Sequence, residues 1–170
     1  MNPLILAATL AFFFLNSTLL SPARTDASLN ALFAVKGWVN DAPTRDSVSG
    51  KVIILDFYTF ACINCKNVEP NLRKLYRTTS RSDLAIISVH SPETTFERVR
   101  GALIASTKVQ GVAWPVAIDN DFQIWNAFSI GAWPTQLIFD RTGRLRATIV
   151  GDSQDALVNT WVSRLIQERH

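Results

Sequence analysis

The stretch KVIILDFYTFACINC, residues 51–65, contains the features that decide the fold of this chain. Residues 52–55 form an unbroken run of β-branched and aliphatic side chains, which is typical of a strand buried on both faces of a parallel sheet. A single carboxylate, Asp56, follows this run. Cys62 and Cys65, the only cysteines in the chain, come after a short turn. A buried strand that leads directly into a Cys-x-x-C pair predicts a redox-active dithiol.

The Cys pair is predicted to lie at the start of a helix over residues 64–79, where apolar residues recur at helical spacing. The unpaired N–H groups at the amino-terminal end of a helix, together with the helix dipole, favour the thiolate form of Cys62. The two-residue spacing brings Cys65 round almost one turn, near enough to form a disulfide with Cys62. We therefore predict that Cys62 is the exposed nucleophile and Cys65 the more buried resolving thiol.

Two structural interpretations of the Cys pair compete with the redox one. Half of a zinc site would need about four ligands in total, and the remaining candidates are His90 and His170. A purely structural disulfide that closes so short a loop would restrict the unfolded chain little. The redox interpretation is favoured, and it requires neither a metal ion nor a cofactor.

Asp56 lies six positions before Cys62, in a strand whose pattern indicates burial. A buried carboxylate without a partner is costly, so its pKa is expected to rise. Such a carboxyl beneath the pair would take the proton from Cys65 as that thiol attacks a mixed disulfide. The alternative is an Asp at the end of the strand that faces solvent or caps a turn.

Two further positions are candidates for the site. Trp133 and Pro134 precede a β-branched, apolar segment, which indicates a junction between a loop and a strand. X–Pro bonds adopt the cis form more readily than other peptide bonds. His90 ends a second apolar strand, and the carboxyl ends of parallel strands share one edge. Two interpretations of His90 stay open, a place near the Cys pair or a plain polar loop residue.

The rest of the chain predicts alternating strands and helices. Strands are predicted at residues 38–39, 52–58, 84–90, 116–118, 135–140 and 145–150, and helices at 64–79, 93–108, 122–128 and 154–167. The expected buried stripes are Phe96, Val99, Leu103 and Ile104 in one helix and Leu157, Val158, Trp161, Leu165 and Ile166 in the last. Parallel crossovers and a late hairpin predict an α/β fold, with helices on both faces of a mixed sheet.

Composition limits the class of protein. A chain of 170 residues with 48% hydrophobic content builds one domain with a sizeable core. The net charge of +3 comes without a Lys or Arg run, so nucleic acid is not an expected partner. Residues 1–23 carry no charged side chain, and an apolar segment precedes small residues at 21–23. They predict a cleaved signal peptide or an uncleaved membrane anchor, with residues 24–170 as the domain outside the cytoplasm.

At this point the sequence resembles the thioredoxin superfamily. It is most similar to exported thiol–disulfide oxidoreductases of the TlpA and redoxin kind, in the subgroup whose site reads Cys-Ile-Asn-Cys. The matching positions are residues 37–40, 50–57, 62–65, 70, 89–93, 96–97, 114–121, 125–128 and 133–135. The resemblance implies a thioredoxin-like three-layer sandwich with an inserted strand–helix segment over residues 93–116.

The resemblance also implies roles for single residues. Cys62 would be the nucleophile and Cys65 its partner in the redox-active disulfide. Asp56 matches the buried acid of thioredoxins, and Pro70 matches the proline that kinks their active-site helix. Pro134 matches the cis-proline whose loop faces the disulfide and pairs with the backbone of the substrate.

Some positions depart from the family pattern. Tyr58 stands where the family usually has Trp, and we expect it to contact substrate together with Trp133. Residues 60–61, Phe and Ala, replace more polar residues before the first cysteine. This change makes the approach to Cys62 more apolar and bears on which partner docks.

The sequence therefore predicts an extracytoplasmic thiol–disulfide oxidoreductase. Its partners would be protein disulfides and an upstream thiol electron donor, with a membrane-bound donor as one option. The resemblance favours the reductive direction, with cytochrome c maturation as one process in which the protein would act.

Two alternative functions stay open. A thiol peroxidase would use Thr59 in a Thr-x-x-Cys pattern, although Leu55 stands where that pattern has proline. A Cu(I)-binding delivery module would use the two thiolates, although the only methionine is Met1.

Overall fold

The computed structural model describes residues 30–168. The signal peptide or anchor predicted for residues 1–23 lies outside this range. Within the described part of the chain, no helix combines the length and the apolar character needed to cross a membrane. The described chain begins with a short helical stretch at residues 30–34, and its Leu32 is buried in the core.

Six strands form one mixed sheet. They are β1 (Trp38–Val39), β2 (Val52–Tyr58), β3 (Leu84–His90), β4 (Val116–Ile118), β5 (Thr135–Phe139) and β6 (Leu145–Val150). Their order across the sheet is β1-β4-β3-β2-β5-β6. The strands β2, β3 and β4 run parallel, while β1 pairs antiparallel with β4 and the hairpin β5–β6 pairs antiparallel with β2. The predicted mixed sheet is confirmed, and all seven residues of β2 are buried at its centre.

Helices cover both faces of the sheet. They are α1 (Arg45–Val48), α2 (Ile63–Thr78), α3 (Arg100–Val109), α4 (Gln123–Ala127) and α5 (Asp155–Gln167), with a 3₁₀ turn at Phe96–Arg98. Alternate residues of β2 face opposite ways, as the period of a strand requires. Ile54 and Tyr58 join a core with α2, α3 and α5, whereas Leu55 and Phe57 join a second core with α4. The predicted three-layer arrangement is confirmed.

The helix predicted over residues 93–108 is wrong in its first half. The chain makes a 3₁₀ turn and then breaks at Val99, whose ψ of 110° is extended, before α3 begins. This break resets the helical phase, so the residues on its two sides do not share one face. Only Leu103 of the predicted stripe is fully buried, while Phe96 is 65% exposed and Ile104 is 39% exposed. Glu97 takes the inward position of the 3₁₀ turn, where it is 1% exposed.

The closing helix agrees with its predicted span but not with every predicted buried residue. Val158, Val162 and Leu165 are buried on α5, at the i, i+4 and i+7 spacing of one helical face. Leu157 lies about 100° away from this stripe and is 44% exposed, which contradicts its predicted burial. Partly buried side chains flank the stripe, namely Trp161 and Ile166.

Candidate active site

Cys62 is the residue that caps the start of α2. Its backbone is extended, with φ −66° and ψ 125°, and the helix begins at the next residue. Its Sγ accepts a hydrogen bond from the backbone N–H of Cys65, with the two atoms 3.4 Å apart. The helix therefore directs an otherwise unpaired N–H at the sulfur of Cys62, an arrangement that stabilises a thiolate.

Cys65 occupies a different environment from Cys62. Its side chain is 3% exposed and packs in the core beneath α2, whereas Cys62 is partly exposed. Burial raises the pKa of the Cys65 thiol, and its contact with Cys62 raises it further. The predicted contrast between an accessible and a buried thiol is therefore present, and the buried thiol holds its proton firmly.

Asp56 lies in the interior of β2, on the same face as Ile54 and Tyr58 and therefore beneath α2. It is 4% exposed, so the solvent-facing alternative is wrong. Burial raises the pKa of Asp56 to about 7, and a hydrogen bond from Ser88 opposes this rise. The charge of Asp56 also raises the pKa of Cys65, which places the two groups within electrostatic reach.

Two residues that the sequence analysis missed support Asp56. Ser88 stands opposite Asp56 in the parallel register of β2 and β3, and its Oγ donates to Asp56 Oδ2 at 3.0 Å. Trp114 is 1% exposed, and its Nε1 donates to Ser88 Oγ at 2.8 Å. The signal in the sequence was a serine in the middle of an apolar strand, because a buried hydroxyl there requires a partner.

The peptide bond between Trp133 and Pro134 is cis, as the resemblance implied. The strand β5 begins at the next residue, Thr135, which pairs with Phe57 near the carboxyl end of β2. This register places the Trp133-Pro134 loop at the end of the sheet from which the Cys pair emerges. Trp133 is partly exposed, and its ring centroid lies 4.5 Å from that of Trp125 in α4.

The structure changes the interpretation of Tyr58 and His90. Tyr58 is 4% exposed, because it points beneath α2, so the prediction that it contacts substrate is wrong. His90 is fully buried and is therefore not a loop residue. Its ring stacks on Phe60 at 5.3 Å and meets the edge of Tyr58 at 5.4 Å. Burial lowers the pKa of His90 to about 4, against an opposing effect of the Glu97 charge, so the ring is neutral near pH 7.

A family model described as thioredoxin-like matches residues 50–145, more than half of the chain, from β2 through β5 to the first residue of β6. The chain belongs to the thioredoxin-like family. Its matched region includes the Cys pair, Asp56 and the Trp133-Pro134 loop.

Named relatives of this thioredoxin-like chain include redox proteins. Protein DipZ of Mycobacterium bovis is 31% identical over 141 residues, which cover 81% of this chain and 20% of DipZ. The thiol-disulfide oxidoreductase YkuV of Bacillus subtilis is 26% identical over 134 residues, covering 78% of this chain and 90% of YkuV. A solved thiol-disulfide isomerase from Corynebacterium glutamicum superposes with a TM-score of 0.73 at 25% identity, covering 79% and 94% of the two chains.

Another acidic residue of this thioredoxin-like site was not predicted. Glu69, on α2, is 7% exposed and pairs with Arg73 at 3.1 Å. Burial raises the pKa of Glu69, while the charge of Arg73 lowers it. The negative charge of Glu69 contributes to the raised pKa of Asp56. Glu69 therefore acts on Asp56, and Asp56 in turn acts on Cys65.

The competing chemistries can be compared with the same geometry. Thr59 is fully buried, and its Oγ1 donates a hydrogen bond to Glu97, so the proton of this hydroxyl is directed at a buried carboxylate. This contact argues against the peroxidase alternative, which needs the hydroxyl of Thr59 at the sulfur of Cys62. Among residues 30–168, no group of three or more His, Cys, Asp or Glu side chains is arranged to hold a metal ion.

Proposed function

We propose that this chain is a thiol–disulfide oxidoreductase that acts on protein disulfides, with Cys62 as the nucleophile and Cys65 as the resolving thiol. The observation that carries the proposal is the asymmetry of the pair. Cys62 is partly exposed and its Sγ accepts a hydrogen bond at the start of α2, while Cys65 is buried. The activity class is the one that YkuV carries in its name.

The exchange proceeds in two displacements. The Cys62 thiolate attacks one sulfur of a partner disulfide, forms a mixed disulfide and releases the first partner thiolate. Cys65, once deprotonated, attacks the sulfur of Cys62, forms the Cys62–Cys65 disulfide and releases the second partner thiolate. The pair thereby loses two electrons, and the partner disulfide gains them.

Asp56 accepts the proton of Cys65 in the second displacement. A buried thiol with a raised pKa needs a base before it attacks. The carboxyl of Asp56, with a pKa of about 7, changes its protonation state near neutral pH and lies on the same face of β2 as the core around Cys65. It can therefore both take this proton and return it.

The partners and the location follow from features outside the Cys pair. The Trp133-Pro134 loop, at the same end of the sheet, presents its backbone to the substrate chain. The apolar character of residues 1–23 supports a place outside the cytoplasm, in the periplasm or an equivalent compartment. There the protein reduces partner disulfides, and an upstream thiol donor reduces the Cys62–Cys65 disulfide again. Cytochrome c maturation is one process that would use this activity. This chain spans 20% of the length of DipZ.

Trapping tests the roles of the two cysteines. A Cys65→Ser variant is expected to accumulate mixed disulfides through Cys62, because the second displacement is blocked. The matched control is Cys62→Ser, which is expected to trap nothing. Protein partners would be identified by mass spectrometry of the trapped species. Trapping by Cys62→Ser alone would reverse the assignment, and trapping by neither variant would contradict the proposed function.

The direction of exchange has its own measurement. Equilibration against glutathione buffers gives the reduction potential, and the reductive role requires a value near the −270 mV that is approximately typical of thioredoxin. A potential near the oxidising end, about −120 mV, would contradict the reductive role while leaving the exchange chemistry intact.

A further inference from the structure

A buried carboxylate lies behind the loop that leads to Cys62. Glu97, in the 3₁₀ turn, is 1% exposed, and both of its oxygens accept hydrogen bonds. Oε1 accepts from the hydroxyl of Thr59 and from the backbone N–H of Ala61, the latter at 3.1 Å. Oε2 accepts from the backbone N–H groups of Glu93 and Thr94 at 2.9 and 2.7 Å, and from the Thr94 hydroxyl at 3.1 Å. Five donors therefore converge on one side chain.

Hydrogen bonds, rather than a cation, satisfy this charge. None of the ion pairs among residues 30–168 includes Glu97. Burial would raise the pKa of Glu97, but hydrogen bonds from Thr59, Thr94 and Ala61 outweigh it and lower the pKa. The group is therefore an anion at neutral pH. A buried carboxylate is expensive to desolvate, so its partners must be held in place around it.

The two oxygens of Glu97 hold two different segments. Oε1 holds residues 59–61, which lead directly into Cys62, and the backbone N–H of Cys62 donates to Thr59 O at 3.3 Å. Oε2 holds residues 93–94, in the segment between β3 and α3. Glu97 thus links the inserted segment to the loop that carries the proposed nucleophile, in addition to the contacts of Phe60 with Phe96 and Gln110.

The ring of His90 also contacts the loop that Glu97 holds. Its Nε2 lies 3.4 Å from the Oγ1 of Thr59, which itself donates to Glu97. Because that hydroxyl donates its proton to Glu97, its oxygen is left as an acceptor toward the ring of His90. His90 also stacks on Phe60, so the loop is held through Thr59, Phe60 and Ala61 in succession.

We propose that Glu97 is a positioning residue of the exchange reaction. From the inserted segment, its carboxylate fixes residues 59–61 and so keeps Cys62 at the cap of α2, where its sulfur receives the N–H of Cys65. This inference rests on the proposed function of the Cys pair. Its consequence is that the reactivity of Cys62 depends on a side chain that does not contact the reacting sulfur.

The test uses Glu97→Gln in the full chain. Glutamine has the same shape, but its amide nitrogen cannot accept a hydrogen bond, so one of the two segments loses its anchor. The readouts are the rate of Cys62 alkylation by iodoacetamide across a pH series and the redox equilibrium with glutathione. We expect alkylation at neutral pH to slow about tenfold, because small displacements of a reacting group cost this much or more. We also expect the redox equilibrium to shift toward the disulfide, because the sulfur of Cys62 no longer receives the N–H of Cys65.

The matched control is Glu93→Gln, which removes the same charge from the same segment. Glu93 is exposed, and only its backbone N–H contacts Glu97. We expect Glu93→Gln to match the wild-type protein in both readouts. An effect of equal size in Glu93→Gln and Glu97→Gln would overturn the proposal, since it would indicate a general effect of charge.

A second pair of variants applies if Glu97→Gln does not fold. Thr59→Val removes the hydroxyl that donates to Glu97, whereas Thr59→Ser keeps it. We expect slower alkylation in the Val variant and wild-type behaviour in the Ser variant. The proposal would be overturned if folded Glu97→Gln, or Thr59→Val, matched the wild-type protein in both alkylation rate and redox equilibrium. Glu97 would then have only a structural role. Alkylation needs no protein substrate, so failure of this inference is distinguishable from failure of partner trapping.

Discussion

At the scale of single residues, the burial of Asp56 changes its protonation and so bears on both stability and the proposed chemistry. The carboxyl lies in a strand whose seven residues are all buried, and its pKa rises from 3.8 to about 7. The folded protein therefore binds a proton that the unfolded chain releases between about pH 4 and pH 7. Because the native state holds more protons in this window, the contribution of Asp56 to stability is present at low pH and is lost as the pH rises toward 7.

An Asp56→Asn variant is expected to be more stable than the wild-type protein above pH 7, by up to the order of 4 kcal/mol. Asparagine stays neutral at every pH, and its carbonyl oxygen still accepts from Ser88. Urea unfolding at pH 4 and pH 8 measures the effect, with exposed Asp121→Asn as the control. A difference between variant and wild type that is the same at both pH values would contradict the raised pKa.

The same variant is also expected to slow the second displacement, the attack of Cys65 on the mixed disulfide. Without a base, attack by Cys65 on the mixed disulfide should slow about 100-fold at neutral pH, while the first attack by Cys62 is little changed. Mixed disulfides should then accumulate even though both cysteines are present. Stopped-flow kinetics of the two steps would show it, and equal slowing of both steps would contradict a role confined to Cys65.

At the scale of elements, the helices show how far periodicity predicts burial. The span of α5 agrees with the pattern, yet the pattern placed Leu157 inside and omitted Val162. An amphipathic pattern indicates that one face is buried, but the angle at which the helix meets the sheet selects the residues at the edges of that face. The segment before α3 fails for a different reason, because the break at Val99 divides one apparent stripe into two unrelated parts.

The residues of α5 offer a matched pair of substitutions. Val162→Ala is expected to lower the free energy of unfolding by about 1–3 kcal/mol, because it leaves a cavity in the core. Leu157→Ala removes a side chain that is 44% exposed and is expected to cost about 0.5 kcal/mol or less. Chemical denaturation of both variants measures the contrast, and a larger loss for Leu157→Ala would contradict the orientation of α5.

At the scale of the whole molecule, the site is assembled at one end of the sheet. The Cys pair follows β2, the Trp133-Pro134 loop precedes β5, and Glu97 approaches from the segment after β3. Parallel strands bring their carboxyl ends to the same edge, so segments distant in sequence converge there. If the proposed roles of the Cys pair and Glu97 hold, the inserted segment is part of the active site.

Residues 1–23 are predicted to direct this domain out of the cytoplasm. Fractionation of bacteria that express the full chain is expected to recover the protein in the exported or membrane fraction. A chain lacking residues 1–23 should stay in the cytoplasm, because the apolar segment that targets it is gone. The mass of the exported protein distinguishes cleavage from anchoring, and recovery of the full chain in the cytoplasm would contradict the prediction.

The sequence by itself determined the features that depend on neighbouring residues. The buried strand β2, the helix that starts at the Cys pair and the late hairpin all follow from local periodicity and turn residues, and family motifs extended this to the cis bond at Pro134. The tertiary structure alone decided which buried polar groups meet. Ser88 reaches Asp56 across 32 positions, and Thr59 reaches Glu97 across 38. These contacts depend on strand register and on the packing of the inserted segment, which no local pattern encodes, because a buried polar group signals only that it needs a partner.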